Sequence, residues 1–126
     1  MTNNNYSTKK VFGKAFFQVA GVSFGNRQNY LWSLRKAESA YLTLKREPKN
    51  AHDPNAIQVI AHCVSKAGKP YVMCIGYVPK DKAIWLAKAM DAGKLCRIYD
   101  FEVVGGKDQT LGVSVKLTHE LYQKKC

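Results

Sequence analysis

The sequence has few acidic residues for its length. Nine Asp and Glu stand against twenty Lys and Arg among 126 residues, which leaves a formal net charge of +11. Positive charges in such excess repel one another in a compact fold, and a polyanionic partner relieves that repulsion. The charge balance therefore favours nucleic acid as the partner. Charge alone leaves open a merely basic protein, or one that binds an acidic membrane surface or an acidic protein.

Paired cysteines and long apolar runs are also lacking. The four cysteines lie at positions 63, 74, 96 and 126 and form neither a C-x-x-C pair nor the close spacing of a zinc finger or ribbon. No apolar run is long enough to cross a bilayer, and the polar start MTNNNYSTKK lacks the apolar segment of a secretory signal. We therefore expect a soluble cytoplasmic protein without metal, cofactor or membrane partner. Its cysteines are expected to be reduced and mostly buried, with Cys126 exposed.

The common catalytic motifs are missing as well. The sequence contains no P-loop, H-E-x-x-H or G-x-S-x-G pattern, and no D-x-D or E-x-K cluster that would hold a nuclease metal. His62 and Cys63 are neighbours in a predicted strand, so their side chains point to opposite faces and cannot form a catalytic pair with each other. These absences favour a protein that is not an enzyme.

The apolar residues that are present suffice for one folded domain. The hydrophobic fraction is 46%, which is ordinary for a globular protein. We expect a flexible polar arm over residues 1–12, one domain over residues 13–122 and a short tail over residues 123–126. No repeat or long linker divides the chain.

Short alternating segments bounded by turn residues predict a mainly β fold. The pattern between residues 29 and 40 is open, because it suits either a short helical turn or an irregular excursion with two aromatic side chains. A single well-defined helix cannot supply the crossovers of a parallel sheet, so we expect a small antiparallel OB-like β-barrel or a strongly curved sheet. The predicted strands cover residues 16–24, 41–46, 56–64, 70–78, 95–104 and 111–117.

The one well-defined helix is predicted from its ends. Pro79 suits the first helical position and Gly93 the left-handed cap, which predicts a helix over residues 80–92. Its apolar face is expected to comprise Ala83, Ile84, Ala87 and Met90.

Three segments together carry a more specific pattern. Residues 46–59 read REPKNAHDPNAIQV, residues 76–79 read GYVP and residues 19–24 read VAGVSF. In this combination they resemble the HIRAN domain family, in which R-E-P-x-N-x-x-D-x-N-A-I-x-V follows a V-x-G-x-x-aromatic segment and precedes a segment ending in (Y/H)-(I/V)-P. The resemblance covers residues 16–117, and it is closest to the type that stands alone in bacteria and phages.

The resemblance implies both a fold and a function. HIRAN domains are compact β-barrels similar to OB folds, found alone or fused to fork-remodelling ATPases. Members of the family bind the 3′ end of single-stranded DNA, where a loop aspartate meets the terminal hydroxyl, aromatic rings stack on bases and basic residues hold phosphates. By this resemblance the chain is a single-stranded DNA-binding module of DNA repair or replication. A helicase, nuclease or other DNA-processing protein is its expected further partner.

Asp53 is the expected ligand of the terminal hydroxyl. A carboxylate repels phosphate but accepts a hydrogen bond from a free hydroxyl, and Asp53 lies in a loop between two predicted strands. The same residues also suit an Asx-turn around Pro54 and Asn55, so both interpretations stay open on the residues alone. Asn55 is expected to close the loop rather than touch the ligand.

Aromatic side chains complete the stacking part of the predicted site. His52, Phe24 and Tyr77 occupy positions where the resemblance places rings that stack on bases. The alternatives are a solvated histidine at 52, a core phenylalanine at 24, and at 77 a phenol that binds phosphate or caps the barrel.

Basic side chains are the candidates for phosphate. Lys80 and Lys82 lie in the first turn of the predicted helix, where exposed backbone N–H groups also favour an anion. Arg27, Lys45 and Arg46 are further candidates. Arg46 suits bracing of the following loop or pairing with Glu47 better than phosphate binding.

Two positions depart from the family pattern. Leu111 stands where some members place another aromatic residue on the last hairpin, and Ser23 stands where a basic residue can occur. One ring and one charge fewer would weaken binding or relax the preference for a 3′ end.

Size and charge also suit a rival function. A phage-encoded or mobile-element module of this kind could inhibit a host nucleic-acid enzyme by binding to the protein itself. A basic surface would attract acidic patches on a protein as readily as it attracts a nucleic acid.

Overall fold

The computed structural model describes the backbone of residues 8–124 and the side chains of residues 11–121. The fold is mainly β, as predicted, with two helices among the described residues. The elements in chain order are β1 (Thr8–Gln18), α1 (Arg27–Lys36), β2 (Ser39–Arg46), β3 (Ile57–Val64), β4 (Pro70–Tyr77), α2 (Lys80–Asp91), β5 (Cys96–Val104) and β6 (Gly112–Lys124).

Two three-stranded antiparallel sheets form the fold. The first has the strand order β1-β6-β5 and the second the order β2-β3-β4. Strand β3 shows why the chain folds this way, because every second side chain from Ile57 onward is buried and those between are partly exposed. Buried side chains from both sheets and both helices form one core between the layers.

An isolated bridge joins the two sheets beyond the end of β1. The N–H of Ala20 donates to the carbonyl of Tyr77 over 2.7 Å, and the N–H of Tyr77 donates to the carbonyl of Ala20 over 2.9 Å. The sheets are not closed into a barrel. The predicted OB-like barrel is therefore confirmed only as a small antiparallel β fold.

Most of the open segment between residues 29 and 40 lies in a helix that was not predicted with certainty, α1, which begins at Arg27 and ends at Lys36. It buries Leu31 and Leu34, which lie three residues apart and so share one face. The prediction of a single helix was thus incomplete. Only two buried apolar residues anchor α1 in an otherwise polar stretch, which gives a weak periodic signal.

Helix α2 is confirmed, and Gly93 follows it with φ +77°, the left-handed conformation expected there. Its buried side chains are Ala83, Leu86 and Ala87, whereas Ile84 is 52% exposed. The placement of Ile84 on the apolar face was wrong. Leu86 and Ala87 lie three and four residues after Ala83 and so share its buried face, whereas Ile84 lies about 100° round the axis from Ala83.

The first strand begins earlier than the apolar pattern predicts. Residues 8–12, assigned to the flexible arm, pair with residues 120–124 of β6. A long β6 thus continues the ladder past the core and into the predicted tail. The rest of the predicted arm and of the tail, including Cys126, lies outside the described residues.

The described cysteines are free thiols: Cys63 is buried, and Cys74 and Cys96 are partly buried. His62 stacks on Tyr41 with ring centroids 4.6 Å apart, so it lies on the face of β3 opposite Cys63, as predicted. Across residues 8–124, no helix combines the length and apolar character needed to span a membrane.

Gly76 allows the bridge between the sheets to form. Its φ is +152°, and a Cβ there would collide with the carbonyl oxygen of Ala20 and the side chain of Val19. We predict that Gly76→Ala lowers the free energy of unfolding by about 2 kcal/mol or more, because backbone strain and a clash combine. Urea unfolding followed by tryptophan fluorescence measures the loss.

The matched control is Gly68→Ala. Gly68 also has a positive φ, +82°, but open space surrounds it, so only the conformational cost of about 1 kcal/mol is expected. Equal losses in the two variants would contradict a role for close backbone approach at Gly76.

Candidate nucleic-acid interface

A groove of about 490 Å³ lies beside the Ala20–Tyr77 bridge, and we call it the Asp53 groove. It brings together six of the seven predicted nucleic-acid-binding residues, although they come from distant parts of the sequence. Lys82 does not line it. The six that do are Phe24, Arg27, His52, Asp53, Tyr77 and Lys80.

The loop between β2 and β3 is shaped by its own short polar side chains. Asn50 Oδ1 accepts hydrogen bonds from the backbone N–H groups of His52 (2.8 Å) and Asp53 (3.0 Å). Asp53 Oδ1 in turn accepts from the N–H of Asn55 over 2.9 Å, and the N–H of Ala56 closes the turn on the Asp53 carbonyl. Asn and Asp at these positions replace water as backbone partners and fix the loop.

The Asx-turn at Asp53 is confirmed, and it leaves the interpretation of Asp53 as a ligand-binding residue open as a prediction. Its Oδ1 closes the predicted Asx-turn, while the side chain is partly exposed and lines the groove. Among the described residues, no donor is hydrogen-bonded to the other oxygen, Oδ2. Within this part of the chain, Asp53 therefore uses one oxygen for the turn and leaves the other as an open acceptor.

Arg46 braces this loop and is not available to phosphate. Its guanidinium donates to the carbonyls of Ala56 (2.9 Å) and Pro54 (3.0 Å) and pairs with the Asp91 carboxylate at 2.9 Å. The hydrogen bond from Arg46 lowers the pKa of Asp91. Bracing was the predicted role, whereas the acidic partner is Asp91 of α2 and not Glu47.

Glu47 joins the loop to the strands beneath it. Its carboxylate accepts hydrogen bonds from the Tyr77 hydroxyl (3.0 Å), the Gln58 amide (2.6 Å) and the Asn50 amide. These bonds, that from Asn50 foremost, lower the pKa of Glu47, and burial raises the pKa of Tyr77. Sequence reasoning missed this role of Glu47. The available signal was an acidic residue placed within the most specific motif of a basic chain.

Arg27 lies between two aromatic rings of the groove. Its guanidinium carbon is 5.1 Å from the centroid of Phe24 and 5.4 Å from that of Tyr77, and Nη1 donates to the carbonyl of Gly21 over 2.9 Å. Phe24 is 68% exposed, so the core alternative for this residue is wrong. The Tyr77 hydroxyl donates to Glu47, and the residue lines the groove.

The two lysines of α2 lie in different places. Lys80 is exposed and lines the groove, whereas Lys82, partly buried, lies about 200° further round the helix and does not. Lys45 is exposed and also lies outside the lining. Among the described lysines and arginines, Lys80 and Arg27 are thus the ones that line the Asp53 groove.

The departures from the family pattern have structural explanations. Leu111 is 1% exposed and packs in the core, with its backbone N–H and carbonyl both bonded to the Gln28 amide. Ser23 is exposed but does not line the groove. The groove therefore takes its rings and charges from the other predicted positions.

The sequence matches a known family over nearly its whole length. The family model of the HIRAN domain matches residues 12–121. The chain belongs to the HIRAN domain family. Membership of the HIRAN family indicates a DNA-binding module.

A solved structure shares the fold of this HIRAN domain. The crystal structure of a protein from Lactobacillus plantarum matches with a TM-score of 0.57 and 21% sequence identity, over 89% of this chain and 98% of that chain. At this identity the likeness establishes the fold alone. No curated protein matches the sequence.

We predict that Glu47→Gln destabilises the HIRAN domain in a pH-dependent way. Because the fold lowers the pKa of Glu47 below its ordinary 4.5, its stabilisation is full above that value and is lost as pH falls through the lowered pKa. The wild type should therefore have the higher free energy of unfolding at neutral pH. The difference should shrink below about pH 4.

Urea unfolding across this pH range measures the difference. Glu102→Gln is the control, because Glu102 is exposed on β5, away from the groove. A destabilisation by Glu47→Gln that stays constant with pH would show that the carboxylate charge is not what holds the network.

Proposed function

We propose that this HIRAN domain binds the 3′ end of single-stranded DNA in the Asp53 groove without catalysing a reaction. The observation that carries the proposal is the half-used carboxylate of Asp53 among rings and cations. One oxygen is fixed in the turn, and the residue lines a groove that Arg27 and Lys80 also line.

Electrostatics favour a strand end over the middle of a strand. Asp53 is the one carboxylate among the described residues that line the groove. A terminal hydroxyl can donate a hydrogen bond to it, whereas a 3′-phosphate or an internal phosphodiester would bring like charges together. Arg27 and Lys80 would then hold the phosphates that precede the terminal nucleotide.

The exposed rings suit stacking with bases. Phe24 presents most of its surface to solvent, and His52, on the loop between β2 and β3, is exposed and also lines the groove. Stacking of a base on such a ring contributes about 1–3 kcal/mol and tolerates any sequence. A protein that binds strand ends in DNA repair or replication needs this tolerance, because ends can have any sequence. We infer a DNA-processing enzyme as its partner.

Asp53→Asn tests the role of the carboxylate while keeping the turn. The amide oxygen of asparagine can replace Oδ1, but the second position becomes a donor without charge. We predict that the preference for a 3′-hydroxyl over a 3′-phosphate falls roughly tenfold, the size of one charge-assisted hydrogen bond. Fluorescence anisotropy with 5′-labelled oligonucleotides that differ only in the 3′ group measures it.

Asp81→Asn is the matched control. Asp81 is an exposed carboxylate in the first turn of α2 that does not line the groove, so its loss changes the net charge equally. Should both variants keep the wild-type preference, Asp53 does not meet the terminal hydroxyl.

Lys80→Gln and Lys82→Gln form a second matched pair. Each phosphate contact that is lost reduces the slope of log K against log salt by about 0.7 for a single strand. We predict this reduction for Lys80→Gln and a smaller change for Lys82→Gln, since only Lys80 lines the groove. Titrations over a range of salt concentrations measure the slopes, and equal slopes for the two variants would argue against a local contact by Lys80.

A further inference from the structure

A second groove, of about 420 Å³, lies on the outer side of α1, and we call it the Trp32 groove. It is formed between the helix and the turn that joins β3 to β4. None of the residues predicted to bind nucleic acid lines it. The side chains that matter for the argument are Trp32, Lys36, Lys66 and Tyr71.

Trp32 is exposed and yet held in place. Its side chain is 41% exposed, although tryptophan is a residue that folding usually buries. The guanidinium of Arg35 lies 5.5 Å from its ring centroid and donates to the carbonyls of Gly105 (3.1 Å) and Val103 (2.9 Å). An indole fixed in this way offers a stacking surface at little cost in side-chain entropy.

The charges of the Trp32 groove have one sign. Lys36 and Lys66 are both exposed and line it from opposite sides, and no carboxylate lines it within the described part of the chain. The Tyr71 hydroxyl donates to the Ser33 carbonyl, which ties the helix to β4 and fixes the width of the groove. Two cations beside a rigid ring suit a ligand that is both polyanionic and aromatic.

Helix α1 connects the two grooves. Arg27 in its first turn lines the Asp53 groove, and Lys36 at its last residue lines the Trp32 groove. Nine helical steps span about 14 Å, or about four times the 3.4 Å of duplex axis that each phosphate of one strand occupies. A single strand of modest length can therefore reach from one groove to the other.

We infer that the Trp32 groove is a second contact for single-stranded nucleic acid, in which a base stacks on Trp32 and Lys36 and Lys66 bind phosphates. This inference rests on the single-strand binding proposed above, but not on the preference for a 3′ end. The strand whose end occupies the Asp53 groove continues past α1 to Trp32. Affinity should accordingly increase with length beyond what the Asp53 groove alone provides.

The test compares a 5′-labelled thymidine trinucleotide with an oligothymidine of about 12 nucleotides, within the range of site sizes for small β-fold binders. Trp32→Ala should weaken binding of the longer strand roughly tenfold, as expected for one lost stacked base, and leave the trinucleotide unaffected. The double variant Lys36→Gln/Lys66→Gln should lower the salt slope for the longer strand by about 1.4. The control Lys14→Gln/Lys88→Gln removes two exposed charges that line neither groove.

The outcomes separate this inference from the proposed function. Equal affinity of wild type and Trp32→Ala for the longer strand would overturn the second contact and leave the first groove standing. Failure of the wild type to bind the trinucleotide would instead count against the Asp53 groove. Binding of polyglutamate that depends on Trp32 and exceeds binding of the oligothymidine would overturn the inference in favour of an acidic protein partner. Thermal unfolding of each variant confirms that the fold is intact.

Discussion

The carboxylate of Glu47 is the point on which the arrangement of the site depends. It lies just after β2 and accepts hydrogen bonds from the loop through Asn50, from β3 through Gln58 and from β4 through Tyr77. Asn50 extends this hydrogen-bond network, because its Oδ1 accepts from the backbone N–H groups of His52 and Asp53, whose side chains line the groove. One acidic group thus fixes the position of the Asp53 loop relative to the ring of Tyr77.

A second constraint brings the other sheet to the same place. The Ala20–Tyr77 bridge pairs the continuation of β1 with the end of β4, and Gly76 leaves the space that this approach needs. The turn that follows carries Phe24, and Arg27 at the start of α1 then packs between the Phe24 and Tyr77 rings. The groove therefore lies at the seam between two sheets that meet but do not close into a barrel. Loop, strand and helix ends all contribute to it because they converge at this seam.

The sequence predicts local features well and distant contacts poorly. Alternation in β3 and the capping residues of α2 are local, and both elements were predicted close to their observed bounds. The contact between Glu47 and Tyr77 joins residues 30 positions apart, and no local pattern reports it. Which of Lys80 and Lys82 lines the groove depends on how α2 is rotated against the core. Composition does not fix this rotation, as the wrong placement of Ile84 on the apolar face shows. The motif segments identified the groove residues because a family pattern already encodes distant contacts.

The two acidic residues of the loop illustrate how a basic protein can use negative charge in opposite ways. Glu47 accepts hydrogen bonds from three neutral donors, so its charge is stabilised locally and serves the fold. Asp53 receives one backbone N–H on one oxygen, and no donor among the described residues is bonded to the second, while the residue is partly exposed at the groove. Under the proposed function this incomplete satisfaction is what gives selectivity. An internal nucleotide of DNA offers only ester oxygens at its 3′ position, which cannot donate to a carboxylate, whereas the terminal nucleotide offers a hydroxyl that can.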